Sequence, residues 1–421
     1  MRSKELYEEI LGLERPWRVV GVELDTDGRE VRVEIENEQR RLPCPVCGVD
    51  CPRHDMRPRS WRHLDTCQFQ TTLQAMVPRV KCLRHGVKQV PVPWADRGSS
   101  FTALFEMLVI AWLKEASIKA VAELFGLSWN VIDGIMKRAV RRGVKRQCFG
   151  EGGRQLPKHL GIDETSFQKR HEYVTVVCDQ EKGHVVHVAD GRSAAVVEEY
   201  LDGFEEPVRA EVETVAMDMW QAYISAVESR IPGAEKKICF DKFHLAQHLG
   251  NAVDKVRREE HRRLTSQGDS TLKGSRYLWL KNPANLTADR LREMETLRRV
   301  AEKTSRAWAL KETAMDAWRY RSRHWARGAL LSWYSWAIRS RLEPMRGVAR
   351  MVKGHLEGLV NAIYHGVTNA RAEGINSRIQ WIKYTARGFR NRERFRRSIH
   401  FHLGGLNMAP ETLEPITLHT T

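Results

Sequence analysis

The alternation of apolar and polar side chains near the N-terminus predicts a small β domain. Residues 17–38, WRVVGVELDTDGREVRVEIENE, alternate on both sides of an Asp-Gly pair. This pattern is typical of a β-hairpin, because successive side chains of a strand point to opposite faces and Asp-Gly suits a tight turn. A second strand-like run, QFQTTLQAMVPRV, follows at residues 68–80. We therefore expect a β-rich N-terminal domain over residues 1–98.

Helical periodicity replaces this alternation at residues 101–142. The segment SIKAVAELFGLSWNVIDGIMKRAVRR fits a helix-turn-helix, with Ser117 and Ser128 as N-caps and Gly126 in the turn. The apolar side chains expected to point inward are Ile118, Val121, Ala122, Leu124, Leu127, Ile132, Ile135 and Met136. Those expected to face outward and contact DNA are Trp129, Asn130, Lys137 and Arg138. A helical hairpin without a nucleic-acid partner is the alternative, but the basic run KRAVRRGVKR favours DNA binding by this domain, residues 99–150.

From residue 158 the pattern becomes mixed. KHLGIDETSF, HEYVTVVCD and GHVVHVAD predict three strands; a helix, a strand, a second helix and a fifth strand follow, ending in KKICFDKFH. The order βββαβαβ predicts a mixed sheet covered by helices. Residues from about 245 to 360 have few strand signals and indicate an all-α insertion. The boundaries expected are 151–245 for the first part of this domain, 246–360 for the insertion and 361–421 for C-terminal helices with a basic tail.

Charge and length narrow the class of protein. With 421 residues the chain is too long for one ordinary core. Its net charge of +16 attracts a polyanion by releasing condensed counterions, which favours nucleic acid as the partner. No run approaches the roughly 18 apolar residues of a membrane span, and the N-terminus has no apolar signal core. We expect no membrane contact and a cytoplasmic, nucleoid-associated protein.

Eight cysteines in a chain without a signal peptide favour metal binding over disulfides. A Cys-Pro-Val-Cys knuckle and a Cys-Leu-Arg-His knuckle each stand at the end of a predicted strand, where four ligands can surround one tetrahedral Zn²⁺. The expected zinc ligands are Cys44, Cys47, Cys82 and His85. The rival ligands are Cys51, His54 and Cys67, and unrelated buried thiols are the alternative to a metal site.

Two aspartates stand where an apolar strand meets the following turn: Asp163 in LGIDE and Asp218 in VAMDMW. A lone aspartate there is commonly a turn former or a helix cap, but two on neighbouring strands of one sheet indicate a shared site. Mg²⁺ prefers oxygen ligands, and two such ions about 4 Å apart can activate a nucleophile and stabilise the leaving oxygen of a phosphodiester. Glu373 is the best candidate for a third carboxylate, because it shares a helical face with Asn369 and Asn376.

Over nearly its whole length the chain resembles the transposases of the ISL3 family of bacterial insertion sequences. The motifs that carry the likeness are CPVCG at 44–48, the helix-turn-helix at 117–140, GIDE at 161–164, MDMWQAY at 217–223, DKFH at 241–244 and TNARAEGINSRIQWIK ending at Lys383.

The resemblance implies a multidomain α+β protein with an RNase H-like catalytic domain, interrupted by the helical insertion. Its DDE triad would be Asp163, Asp218 and Glu373, which would bind two catalytic Mg²⁺ or Mn²⁺ ions. A separate structural Zn²⁺ would lie in the N-terminal domain. Its partners would be double-stranded DNA, both the terminal inverted repeats and the target, and further copies of the chain in a homodimer or higher oligomer.

Two positions depart from the family pattern. The second zinc knuckle ends in His85 where the family often has a cysteine, which leaves the fourth ligand open. Thr368 stands where a serine is usual before the glutamate, and it keeps a hydroxyl group.

The motif Asp241-Lys-Phe-His244 resembles a (C/D)-x-x-H motif that follows the second aspartate in several DDE groups. We expect His244 in the catalytic neighbourhood, where it contacts the scissile phosphate or positions the flanking strand; a helix-capping histidine packed under the sheet is the alternative. The motif does not favour Asp241 as a metal ligand.

Arginines and tryptophans in the C-terminal half are further candidates for DNA contact. Tryptophans can stack on unpaired bases but more often pack between helices. The insertion carries Trp279, Trp308, Trp318, Trp325, Trp333 and Trp336. The arginines expected to contact phosphates are Arg387, Arg390, Arg394 and Arg397, in a cluster that also holds Arg392 and Arg396.

Two other functions share these features. An RNase H-like nuclease or resolvase would use the same metal chemistry without strand transfer, and an inactive DNA-binding regulator would be expected to lose one of the three carboxylates. The zinc and helix-turn-helix modules favour a protein that first finds a defined DNA end.

Overall fold

A computed structural model describes residues 3–149, 155–168, 172–367 and 370–413. The chain forms two compact units, one from residues 1–154 and 406–421 and the other from residues 155–405. Within the described residues, no helix combines the length and the apolar run needed to cross a membrane.

The first unit begins with a six-stranded sheet that follows helix α1 (Ser3–Leu11). Its strands are β1 (Trp17–Asp25), β2 (Glu30–Asn37), β3 (Arg41–Pro43), β4 (Asp50–Arg62), β5 (Gln70–Cys82) and β6 (Gly86–Gln89). The order is β1-β2-β5-β4-β3, with β6 on β5; only the β2–β5 pair is parallel. The predicted hairpin is present, with Trp17 opposite Asn37. Strand β4 was not predicted, because its two prolines and four arginines are atypical of a strand.

The apolar alternation fills one face of this sheet. Val33, Leu73 and Val77 are fully buried, and the tryptophan rings of Trp17 and Trp61 meet Trp94 edge-on at centroid distances of 5.0 and 5.3 Å. Burial of such large aromatic rings contributes several kcal/mol to a domain of this size, on the order of 2–3 kcal/mol for each side chain.

The helix-turn-helix lies in the same unit. Helix α2 (Ala103–Glu115) precedes α3 (Ile118–Phe125) and α4 (Trp129–Phe149). Ser117 caps α3 by accepting a hydrogen bond from the Ala120 N–H at 3.2 Å, and Gly126 ends it at φ 63°, a conformation that costs glycine little.

The core of the helix-turn-helix agrees with the sequence pattern at most positions. The fully or largely buried side chains include Val121, Ala122, Ile132, Ile135 and Met136. The prediction that Leu124 points inward is wrong, because 57% of it is exposed on the far side of α3.

The second unit contains a five-stranded mixed sheet. Its strands are β7 (His159–Gln168), β8 (Glu172–Asp179), β9 (His184–Asp190), β10 (Thr214–Met217) and β11 (Ile238–Phe240). The order is β11-β10-β7-β8-β9, in which β7, β8 and β9 are antiparallel neighbours and β10 and β11 run parallel to β7. The strands and connecting helices follow the predicted βββαβαβ order, with α5 (Ala194–Asp202), α6 (Glu206–Ala210), α7 (Gln221–Arg230) and α8 (Ala234–Lys237) between them.

Helices follow from β11 to the C-terminal end of this unit. They are α9 (Lys242–Ser266), α10 (Arg276–Leu280), α11 (Ala288–Val300), α12 (Glu302–Asp316), α13 (Arg323–Ile338), α14 (Glu343–Gly354), α15 (Leu356–His365), α16 (Ala370–Thr385) and α17 (Arg392–Leu403). Helices α9 to α15 share one apolar core with α5, α7 and one face of the sheet. Helices α16 and α17 cover the opposite face, where Ile379 and Phe395 pack against Val174.

The predicted boundary of the last segment differs from the observed division. Residues from Leu406 onward belong to the first unit rather than to the unit that contains α16 and α17. The reason is an ionic and hydrogen-bonding contact: the Arg142 guanidinium donates to the Met408 carbonyl at 3.2 Å and also pairs with buried Glu106 at 3.0 Å.

Candidate active site and metal centre

Helix α16 packs along strand β7, and contacts between the two elements position Asp163. The Asn376 side-chain N–H donates to Oδ2 of Asp163 at 2.7 Å. One turn further along the helix, Gln380 donates to Thr165 Oγ1 at 2.9 Å. A helix advances about 5.4 Å per turn and a strand about 6.8 Å per two residues, so alternate strand positions meet successive helical turns. The helix therefore holds the Asp163 carboxylate in one orientation.

Asp218 lies beside Asp163 because β10 runs parallel to β7. Met217 is opposite Ile162 in the register, and each aspartate is the next residue of its strand or turn. The Met219 N–H donates to Oδ1 of Asp218 at 2.6 Å, and the Glu164 N–H donates to Oδ1 of Asp163 at 2.8 Å. The structure thus brings together the two aspartates that the sequence placed at strand ends.

The electrostatics of Asp163 reflect this crowding. Burial raises its pKa to about 6, and the charges of Glu164 and Asp218 act in the same direction. The Glu164 N–H and a nearby His244 oppose that rise. Like charges in a partly dry site favour a proton or a cation, so the site favours a bound cation at neutral pH.

His244 lies in the first turn of α9, between two carboxylates. Its Nδ1 is 3.6 Å from Oδ2 of Asp218, and its Nε2 is 4.0 Å from Oδ2 of Asp241. Oδ2 of Asp241 is buried and accepts no hydrogen bond from the described residues. The structure therefore places the His244 ring between the carboxylates of Asp218 and Asp241.

Glu373 lies on α16, one turn before Asn376, and is half-buried. Its Oε1 is buried without a hydrogen-bond partner in the described part of the chain, as is Oδ1 of Asn376. Buried oxygens that lack donors are the atoms that a cation would satisfy. Thr368 and Asn369, which the sequence placed around this glutamate, lie outside the described residues.

The three carboxylates are spread more widely than the ligands of a single ion. Among the described residues, Asp163, Asp218 and Glu373 do not form a group whose oxygens all lie within 4.8 Å of one another. Two ions about 4 Å apart require a wider ligand set than one ion does. The donor set, of carboxylate oxygens with one amide oxygen, fits Mg²⁺ or Mn²⁺.

Three residues near the site had no role in the sequence analysis. Glu164 points to the other face of β7 from Asp163, where Oε1 lies 3.7 Å from Nη1 of Arg192. Burial raises the pKa of Glu164, and the charge of Arg192 opposes that rise. The buried Tyr223 hydroxyl lies on the same face of the sheet as Glu164, 2.9 Å from Thr175 Oγ1. Strand alternation could have assigned Glu164 to this face, but nothing local indicated Arg192.

The predicted zinc ligands form a compact cluster in the first unit. The ligand atoms of Cys44, Cys47, Cys82 and His85 all lie within 4.8 Å of one another. The Cys47–Cys82 Sγ distance is 3.8 Å, and Nδ1 of His85 lies 3.5 Å from Cys82 Sγ and 3.8 Å from Cys44 Sγ. A tetrahedral ion with Zn–S bonds of about 2.3 Å and a Zn–N bond of about 2.1 Å has ligand separations of roughly 3.6–3.8 Å.

The backbone of the second knuckle also favours a thiolate. The N–H groups of Arg84 and His85 point at Cys82 Sγ and lower its pKa to about 7. The rival Cys51 is buried next to the cluster but directs its thiol to the Val49 carbonyl at 3.3 Å. The rival Cys67 is exposed, and neither it nor His54 belongs to the cluster.

Most of the predicted recognition residues of α4 face solvent. Asn130 and Lys137 are exposed, and 37% of Trp129 is exposed. The prediction that Arg138 is free to contact DNA is corrected, because its guanidinium forms a 2.5 Å ion pair with Glu106, which is 1% exposed. A buried carboxylate needs a cation, and Arg138 with Arg142 supplies it.

Some of the predicted C-terminal arginines are exposed to solvent, and one is buried. Arg387, Arg390 and Arg394 are exposed. The prediction of a phosphate contact by Arg397 is corrected, because only 8% of it is exposed and α17 packs it against the sheet. The neighbouring arginines of the cluster are paired: Arg392 with Glu172 at 3.0 Å and Arg396 with Asp190 at 3.3 Å.

The tryptophans of the helical segment have mainly packing roles. Trp279 and Trp333 are buried and donate to Ser275 Oγ at 3.2 Å and to the Leu310 carbonyl at 2.7 Å. Trp308 and Trp318 are half-buried against the same core. Trp325 and Trp336 are exposed along a groove of about 610 Å³.

Comparison with known protein families gives a match for three successive segments of the chain. Residues 160–399 match the transposase domain of the ISL3 family, residues 90–140 match the helix-turn-helix domain of transposase family ISL3, and residues 40–85 match the zinc-finger of transposase IS204/IS1001/IS1096/IS1165.

Curated relatives agree over nearly the full length. The chain is 28% identical over 423 residues to the transposase for insertion sequence element IS1557 of Mycobacterium tuberculosis, covering 93% of each chain. It is 26% identical over 404 residues to the transposase for insertion sequence element IS1001 of Bordetella parapertussis, covering 94% of this chain and 97% of the relative. The paired strand-end aspartates, the Cys3His cluster and the capped helix-turn-helix thus occur together in a chain that belongs to the ISL3 family of DDE transposases.

Proposed function

We propose that this chain binds the terminal inverted repeats of its own insertion sequence and catalyses metal-dependent strand cleavage and strand transfer there. The observation that supports this most directly is the juxtaposition of Asp163 with Asp218 and with Asn376, one turn from Glu373. The order and direction of the five strands support an RNase H-like sheet, with α9 to α15 as a helical insertion between the second and third carboxylates.

We assign the catalytic metal ligands to Asp163, Asp218 and Glu373. Buried oxygens without donors on Glu373 and Asn376, and the raised pKa of Asp163, support this donor set for two Mg²⁺ or Mn²⁺ ions. When bound, such ions polarise the phosphodiester and generate the attacking oxygen nucleophile. Asn376 would hold Asp163 in its ligating rotamer, since its N–H occupies one carboxylate oxygen.

His244 would act beside the reacting phosphate. Its Nδ1 faces Asp218 and its Nε2 faces Asp241, so the ring is oriented by carboxylates on both sides. A histidine held in this way can donate a hydrogen bond or a proton to a phosphate oxygen.

We also propose that Cys44, Cys47, Cys82 and His85 hold one structural Zn²⁺. Their separations fit one tetrahedral ion, and the cluster joins β3 to β5 through buried Leu42 and Val80. The zinc domain and α4 would recognise the DNA end, while exposed Arg387, Arg390 and Arg394 would contact phosphates. Transposition joins two element ends, so we expect a dimer or a higher oligomer on DNA.

A strand-transfer assay tests this function. Labelled DNA carrying the element end is incubated with protein and Mg²⁺, and cleaved and joined products are separated. Asp163→Asn, Asp218→Asn and Glu373→Gln should each lower both products at least about 1,000-fold while end binding remains. Glu198→Gln, which changes a carboxylate on α5 that pairs with Arg230, is the matched control and should retain activity.

The assay also separates the alternatives. Cleavage without joined product would favour a nuclease or resolvase. End binding without either product, in wild type as in the variants, would favour a DNA-binding regulator. Wild-type activity of the three carboxylate variants would refute the proposed active site.

A further inference from the structure

The turn between β9 and α5 is held from three directions. The Gly191 N–H donates to the Tyr173 carbonyl at 2.9 Å, and Thr175 Oγ1 donates to the Gly191 carbonyl at 2.7 Å. The Trp220 indole Nε1–H donates to the Arg192 carbonyl at 3.2 Å. Gly191 has φ 92°, which a side chain at that position would strain. The backbone that carries Arg192 therefore has one fixed position.

The Arg192 side chain is held equally firmly while its charge stays open to solvent. Its guanidinium carbon lies 4.6 Å from the ring centroid of Tyr173 and 5.0 Å from that of Trp220. The distance from its Nη1 to Oε1 of Glu164, its charged partner, is 3.7 Å, which is too long for a good hydrogen bond. The Arg192 side chain is 40% exposed. Within the described residues, its N–H groups donate no hydrogen bond.

This cation contacts residues that are close in sequence to both aspartates of the candidate active site. Glu164, its ion-pair partner, directly follows Asp163 and donates its N–H to that carboxylate. Trp220, on which it stacks, comes two residues after Asp218 and is 40% exposed. Arg192 thus contacts residues next to both aspartates. The residues that flank Arg192 in the sequence do not predict these contacts.

We propose that Arg192 binds one backbone phosphate of the DNA strand held at Asp163 and Asp218. The planar guanidinium presents a fork of donors that matches two phosphate oxygens, and its contacts with the two rings hold it in place before DNA arrives. The three carboxylates of the site repel a polyanion, so a fixed positive charge beside them offsets that repulsion where the strand must approach. The proposal rests on the proposed function for the identity of the anion as DNA.

Three variants test this role. Arg192→Gln should slow cleavage of element-end DNA about 30- to 100-fold, and Arg192→Lys about 10-fold, because lysine keeps the charge but loses the fork and the planar stack. Arg230→Gln is the matched control: that arginine is 30% exposed and paired with Asp202 and Glu198 at the far end of α7, and its loss should leave cleavage unchanged.

A binding experiment locates the phosphate without relying on catalysis. End DNA with single methylphosphonates, which remove one backbone charge each, is titrated without divalent ions across a salt series. At one position near the cleavage site the neutral linkage should weaken wild type about 10-fold and leave Arg192→Gln unaffected. The variant should also flatten the salt dependence of binding by about one unit.

The outcomes are distinct. An unchanged salt slope and a wild-type methylphosphonate profile in Arg192→Gln would overturn the proposal, and a lowered unfolding temperature in that case would show that Arg192 only neutralises Glu164. If wild type cleaves no DNA but the binding results hold, the proposed function fails while Arg192 remains a phosphate-binding residue. If Asp163→Asn abolishes cleavage and Arg192→Gln behaves as wild type in both assays, the function stands and this inference is wrong.

Discussion

The Asn376 amide donates a 2.7 Å hydrogen bond to the carboxylate of Asp163, across 213 residues of sequence. This contact joins α16 to β7, the first strand of the second unit's sheet, and it fixes one oxygen of an aspartate that we assign to metal binding. Glu373 lies one turn earlier on the same helix.

We expect Asn376→Ala to lower the cleavage rate about 10- to 100-fold, because a hydrogen bond to a charged group is worth about 1.5–3 kcal/mol and the carboxylate would be free to rotate. Gln380→Ala removes a neutral contact to Thr165 on the same helical face and serves as the control, with an expected loss of less than about threefold. Single-turnover cleavage measures both. Equal losses in the two variants would mean that the helix only packs on β7.

Loss of a zinc ligand should unfold the first unit around the knuckles. Cys44→Ser and Cys82→Ser should each abolish the one equivalent of zinc and expose β3 to β6 to protease, because zinc binding supplies about 10 kcal/mol or more of apparent folding energy to such a site. His85→Cys should keep the metal, and Cys51→Ser, a buried neighbour outside the cluster, should keep both metal and fold. Elemental analysis with limited proteolysis decides the assignment; zinc retained in Cys82→Ser would contradict it.

The buried His63 should make the first unit sensitive to acid. Burial, with a smaller effect of Arg62, lowers its pKa from 6.5 to about 4. The unfolded chain then binds a proton that the folded chain does not, so this group's contribution to stability is present above pH 6.5 and is lost as the pH falls toward 4. The loss amounts to about 3 kcal/mol at most. Denaturant titrations should show a flatter pH profile for His63→Gln, whereas the exposed His54→Gln should follow wild type.

The helix-turn-helix and the C-terminal arginines should contribute to DNA binding in different ways. Asn130→Ala and Lys137→Ala should lower affinity for the element end more than for random duplex, because base contacts specify sequence. Arg390→Ala and Arg394→Ala should weaken both alike and flatten the salt dependence by about one unit for each phosphate that is no longer neutralised. Competition binding across a salt series distinguishes the two.

Arg138→Ala is an informative comparison in the same assay. Its partner Glu106 is buried and keeps a second ion pair, with Arg142, at 3.0 Å. The variant should therefore lose about 1.5–3 kcal/mol of stability, the usual value of a hydrogen bond to a charged group, with no selective loss of end recognition. Equal loss on both DNAs for the Asn130 and Lys137 variants would place sequence specificity outside α4.

Local pattern was sufficient for much of this protein. The alternation at residues 17–38 predicted the β1–β2 hairpin, and the knuckle spacing favoured the four members of the Cys3His cluster while leaving Cys51, His54 and Cys67 as rivals. Ser117 and Gly126 bounded α3 as their backbone preferences require. Such features depend on residues within a few positions of one another, where strand or helix periodicity and turn geometry act without reference to the rest of the chain.

Tertiary structure decided what those patterns could not. Helical periodicity places Arg138 on an outer face of α4, but the buried carboxylate of Glu106, 32 residues earlier, turns its guanidinium inward. Arg397 is buried by the sheet beneath α17, and Arg192 acquires its position from Tyr173 and Trp220. Burying a charge is unfavourable unless a counter-charge is supplied, and only packing reveals which distant residue supplies it. The sequence by itself determined most of the elements, though not β4, and the strand-end aspartates. The packing of α16 on β7 decided which polar side chains meet Asp163, because that contact joins two segments that lie 213 residues apart.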